Sequence, residues 1–201
     1  MPDITAIMQS SNLYVYAMNN PILWSDPSGF NIKVSGSPIS DWNVYNSLPN
    51  KGSINCYAYA VGWPQNPVTM KNWNSFFPPR GAQPGILAKK NKDYYYSNEL
   101  VPLMKDDATK VDMIFKDLSK PDAEIPVGTW KIAVTRNSNT GDYHLFRQNS
   151  DGSWSHKPGS SDVRNTDNDG NIIYDPRNAK TNWNDFIGFY YVGYAIKEEQ
   201  G

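Results

Sequence analysis

One cysteine and two histidines stand among 201 residues. That scarcity excludes an internal disulfide, a four-cysteine zinc site and a CxxC redox pair. Any chemistry built on thiol or imidazole must therefore draw on Cys56, His144 and His156. Charge of one sign is lacking as well. The 19 Lys and Arg face 20 Asp and Glu, a net charge of -1, which argues against a strongly basic nucleic-acid binder. No apolar run approaches the roughly 18 to 20 residues of a membrane-spanning helix. The opening residues MPDITAIMQSSNLY lack the basic-then-apolar pattern of a signal peptide, so export is expected to depend on something else. Charged residues make up only 19%, below the usual quarter, which disfavours long solvated helices.

Aromatics and turn formers are abundant. Thirteen Tyr, seven Trp and seven Phe, with 15 Pro and 14 Gly, predict short aromatic strands joined by tight turns. The length suits one domain with a short appendage, large enough to hold a core without staples. Asn55 to Val61 (NCYAYAV) reads as a short helix, with Ser53 or Asn55 as N-cap and Gly62-Trp63-Pro64 closing it. Residues 64 to 92 are rich in Pro and Gly and read as irregular. A helix is expected from about Ser97 to Asp107, interrupted by Pro102, and another from Asp106 to Leu118. Beyond Pro126 the pattern turns to strands: Thr129 to Arg136, Asp142 to Gln148, Gly152 to His156 and Phe186 to Ile196. Helices first and an antiparallel sheet after them predict an α+β domain.

The first thirty residues differ from the rest. Asn12 to Gly29, NLYVYAMNNPILWSDPSG, combines an alternating aromatic strand with Asn-Asn-Pro and Asp-Pro-Ser-Gly turns. The segment resembles the end of the core in Rhs/YD-repeat proteins, where NLYxYxxNNPxxxxDPxG precedes a variable C-terminal module. The resemblance implies a remnant of that core over residues 1–30 and a toxin or effector module over 31–201. It also implies an Rhs shell in the full-length form, a cognate immunity protein, and secretion or delivery to a target cell in interbacterial competition.

Cys56 falls at the start of the short helix. A thiol there is expected to feel the helix dipole and free N–H groups, which lower its pKa and favour thiolate. The same N–H groups can bind a developing oxyanion, with Asn55 in support. A free cysteine is also commonly a small buried hydrophobe. His144 lies inside strand DYHLFRQ, and His156 ends GSWSH across the Asn149-Ser150-Asp151-Gly152 turn. A turn centred on Ser150-Asp151 pairs residues whose numbers sum to about 300 or 301, so His144 is expected to face 156 or 157. Paired imidazoles suit a base and its orienter, half a metal site, or nothing beyond two histidines on a hairpin.

A helix-borne Cys followed by a strand His, and a second His 12 residues later, resembles the NlpC/P60 branch of papain-like hydrolases. NCYAYAVG stands where that branch has a DCSGF-like stretch. The resemblance implies a papain-like fold with Cys56 as nucleophile, His144 as base and His156 as orienter, and no cofactor or metal. Asp142 is the competing orienter. The implied reaction is acyl transfer on a protein, peptide or peptidoglycan-peptide substrate, as peptidase, amidase or deamidase. Three further readings use these residues or others. Cys56, His144 and His156 could ligate zinc. Asn165 to Asp175 has EF-hand-like offsets, but position 12 is Pro176, so a polar turn at Asn168-Asp169-Gly170 is favoured. Lys89-Lys90-Asn91-Lys92 reads as a solvated loop rather than an RNA contact. The functional alternatives are a nuclease toxin with His144 as base, and a non-catalytic binding module.

Overall fold

The computed structural model describes residues 41–47, 52, 54–63, 82–92 and 95–194. The proposed boundary near residue 30 and the Rhs-like segment lie outside the described residues. Among the described residues three helices precede the sheet: α1 (Asp41–Ser47), α2 (Cys56–Ala60) and α3 (Ser97–Thr109). Five strands follow among those residues: β1 (Ile114–Asp117), β2 (Thr129–Arg136), β3 (Tyr143–Gln148), β4 (Trp154–His156) and β5 (Asp185–Gly193). They form one antiparallel sheet in the order β1-β5-β2-β3-β4. The fold is mixed α and β.

β2 is the central strand, and all eight of its residues are buried. Its polar residues find partners there: Lys131 Nζ donates to the Pro121 carbonyl at 2.7 Å and Arg136 Nε to the Tyr95 carbonyl at 2.8 Å. On one side of the sheet α2 and α3 bury Tyr57, Leu100, Met104 and Val134 with Tyr143 and Leu145 of β3. A smaller cluster of Ala133, Phe146, Trp154, Ile173 and Phe189 fills the other side.

α3 offers Leu100, Leu103, Met104, Asp107 and Ala108 to the core at helical spacing, although Pro102 removes one backbone donor. The expected second helix over 106–118 does not form. Asp112 takes a left-handed φ of 55°, and the Met113 N–H returns to the Ala108 carbonyl at 2.9 Å. That reversal ends α3 and releases Ile114–Asp117 to pair with β5 as strand β1.

The hairpin forms with a shifted register. Phe146 opposes His156, and Gln148 opposes Trp154. Gly152 occupies the left-handed position at φ 84°, and Asp151 accepts from both the N–H and the hydroxyl of Ser153. The resulting loop is three residues long and centred on Asp151, not on Ser150-Asp151. His144 and His156 are therefore diagonal neighbours on one face instead of a directly opposed pair.

Candidate active site

Of the two N-cap candidates, Ser53 and Asn55, it is Asn55 that caps α2. Asn55 Oδ1 accepts from the N–H groups of Tyr57 and Ala58, both at 3.1 Å. Asn55 Nδ2 donates to the Ala82 carbonyl, so both ends of the amide are engaged. In this arrangement Asn55 caps and tethers the helix, and the two N–H groups it binds are not open to an oxyanion.

Cys56 follows at the first turn, almost wholly buried. Its Sγ lies 3.8 Å from the Tyr143 carbonyl, with the Leu145 N–H also close. In an antiparallel ladder these two groups point to the same side of β3, here toward β4. β4 ends at His156, opposite Phe146, so among the described residues no strand lies beside the stretch 143–145 on that side. The thiol fills that open edge. Burial pushes its pKa up to about 12, outweighing nearby N–H groups, and the Asp142 carboxylate pushes the same way. This reverses the expected lowering. α2 is only five residues long, and desolvation dominates.

The histidines sit on the opposite face of β3, since Tyr143 and His144 alternate. His144 Nε2 meets His156 Nδ1 at 2.7 Å, and His156 Nε2 meets the Thr166 carbonyl at 3.0 Å. Burial lowers both pKa values, His144 well below the ordinary range and His156 to about 4. Both rings are neutral near pH 7. A carbonyl can only accept, so His156 Nε2 carries hydrogen and its Nδ1 is the acceptor. His144 Nε2–H then donates to it, leaving a lone pair on His144 Nδ1. Arg164 Nε also points at His156 Nε2, at 3.3 Å. The shorter carbonyl contact fixes the tautomer, because Arg164 is exposed and water can take its N–H.

Among the described residues, the thiol has no ring nitrogen as partner. Cys56 and the histidines occupy adjacent positions along β3 in separate hydrogen-bond systems. They do not converge as three ligands, and no group of three or more His, Cys, Asp or Glu is placed to hold a metal among the described residues.

Asp142 does not reach an imidazole nitrogen. Its Oδ2 accepts from Trp183 Nε1 at 2.6 Å and its Oδ1 from the Tyr143 N–H at 2.9 Å. Trp183 in turn stacks on His144, with ring centroids 3.9 Å apart and planes 12° from parallel. Sequence reasoning missed Trp183 and the Thr166 carbonyl. A tryptophan in a polar loop 39 positions from its partner has no spacing signature, and a backbone carbonyl has no residue code.

In the EF-hand-like stretch, the Asp167 carboxylate accepts backbone N–H groups from Asp169, Asn171 and Lys180. It shapes a turn, with Gly170 at φ 83°. Lys90 and Lys92 pair with Asp106 and Glu99 on the surface.

No family model matches the chain, and no solved structure matches it. Insoluble matrix shell protein 1 of Ruditapes philippinarum is 47% identical over 53 residues, 26% of this chain and 36% of that protein. The chain thus covers about a third of the length of that relative.

Proposed function

We propose that the chain is a cysteine-dependent acyl hydrolase, a papain-like toxin or effector module of an Rhs-type polypeptide. The observation that carries the reading is the directed chain from His144 through His156 to the Thr166 carbonyl, on the strand whose edge holds Cys56. The chain leaves His144 Nδ1 as a base, and burial keeps that base neutral.

In the proposed reaction α2 shifts at the open edge of β3, so that the thiol leaves the Tyr143 carbonyl, reaches His144 around that edge and gives its proton to Nδ1. The sulfur attacks an amide or ester carbonyl carbon. His144 returns the proton to the departing amine or alcohol, and the acyl group remains as a thioester. Water, deprotonated by His144, then releases the acid and restores the thiol. The starting pair is thiol and imidazole, both neutral, so proton transfer accompanies attack. The substrate class is a protein, peptide or peptidoglycan-peptide, and a cognate immunity protein would block it.

A second reading is a non-catalytic module. The closed, strongly buried thiol and the partial match to a shell matrix protein favour it. Toxicity after delivery into target cells separates the two. Cys56→Ala and His144→Ala are expected to lower it by ~1000-fold or more, whereas His156→Ala retains part of it. Undiminished toxicity of His144→Ala overturns the hydrolase reading.

A further inference from the structure

We propose that Trp183, locked in place by Asp142, is a positioning residue for His144: it fixes the plane of the imidazole and shields one face of that ring from water. This rests on the reading that His144 is the base. The geometry behind it involves three side chains from two distant stretches of sequence. The indole covers one face of His144 at 3.9 Å and is nearly parallel to it. Phe146 and His156 meet the same ring edge-on, at 5.1 and 4.9 Å between centroids.

An aromatic stack alone would be ordinary packing. Trp183 differs in being half-buried at the surface, with a specific side-chain bond directing its indole over the ring. That bond is the 2.6 Å contact from its Nε1–H to Asp142 Oδ2, and the same carboxylate is fixed through Oδ1 on the Tyr143 N–H. Asp142 immediately precedes β3, so strand and indole are tied together two residues from the base. The preceding loop is anchored too: Asn137 Nδ2 donates to the Asn182 carbonyl at 2.8 Å. Held this way, His144 cannot tilt about its Cβ–Cγ bond without breaking either the stack or the contact to His156. Asp142 thus orients the base through the indole rather than by touching it.

The test uses the full chain labelled at histidine, with the imidazole titration followed by NMR. Only two histidines contribute, and His156→Asn assigns them. Trp183→Ala is expected to bring the His144 pKa back toward its ordinary value of about 6.5, because the desolvating cover is gone. Trp183→Phe, which keeps a ring but loses the bond, and Asp142→Ala should each give part of that change. Asp142→Asn keeps one acceptor oxygen for two N–H donors, so it can hold the indole only by giving up the Tyr143 N–H, and its change should be smaller than that of Asp142→Ala. Acyl turnover on p-nitrophenyl acetate should show kcat lower by ~10-fold in Trp183→Ala, with little change in KM and the acid limb moved upward. A His144 pKa unmoved in Trp183→Ala overturns the proposal. Should that variant not fold, an unmoved pKa in both Trp183→Phe and Asp142→Ala does so. If the pKa moves while the wild type shows no Cys56-dependent turnover, the positioning stands and the hydrolase reading falls.

Discussion

The two faces of β3 are built on alternate residues of one strand, yet burial drives their ionisable groups in opposite directions. On the helix side it raises acids: the Cys56 thiol to about 12, the Asp107 carboxyl to about 6 and the Tyr57 phenol well above its usual range. On the other side it lowers bases, His144 and His156. Both shifts run toward the neutral form, because desolvation opposes whichever form carries charge. The lesson is that pH should loosen the two faces at opposite ends of the scale.

The largest expected effect tests the histidine face. His156 has a folded pKa of about 4 against about 6.5 unfolded, so its contribution to stability is complete above 6.5. That contribution is lost as pH falls toward 4, because the unfolded chain takes up the proton first. The displacement corresponds to about 3 kcal/mol, and His144 adds to it with the same sign. Denaturant midpoints measured between pH 4 and 7 should fall steeply on the acid side in the wild type. His156→Asn should flatten the slope; an equal slope in both proteins would contradict the buried neutral pair.

Next in size is the helix face. Asp107 accepts from the N–H groups of Gly85 at 2.7 Å and Ala88 at 2.9 Å and from the Tyr57 hydroxyl at 3.2 Å, joining α3, the 82–90 turn and α2. Asp107→Ala should cost about 2 to 3 kcal/mol at pH 5, since buried donors lose their acceptor. A folded pKa raised to about 6 means this contribution is present at low pH and declines as pH rises through 6. The penalty, read by chemical denaturation, should shrink between pH 5 and 8. A penalty that grows would reverse the assignment.

The smallest effect falls on the cap. Asn55→Ala should destabilise by about 1 kcal/mol and speed iodoacetamide alkylation of native Cys56, as α2 frays from the strand edge. Trp183→Ala should leave that alkylation rate unchanged, since the indole covers the other face.

Much of this arrangement could be read from the residues. Thr129 to Arg136 alternates and ends in polar turn residues, and it forms the expected strand to the residue. A cap at the start of α2 was visible, but both Ser53 and Asn55 could supply it, and the fold uses Asn55. The hairpin was visible too, but its register was not. The difference between a two- and a three-residue loop lies in Gly152 taking the left-handed position, which the sequence permits without requiring. β1 was hidden by Asp112, a non-glycine residue doing what glycine normally does at a helix end. At the site, residue types and spacing indicated Cys56, His144 and His156 as candidates. The tautomer and the cover on His144 depend on Thr166 and Trp183, which tertiary structure brings in from loops after the hairpin. The reversal of the Cys56 pKa had the same origin: helix position is local, whereas burial belongs to the whole fold.

The sulfur at the edge of β3 has a consequence for self-association. Sheet edges are templates on which a second chain can pair, and proteins blunt them with charge, bulges or covering segments. Here β4 stops short, and the start of α2 covers the remaining carbonyl and N–H groups. Any motion that lifts α2 away to free the thiol also uncovers this piece of unpaired strand. Access to the nucleophile and protection against edge-to-edge aggregation are therefore set by the same few contacts.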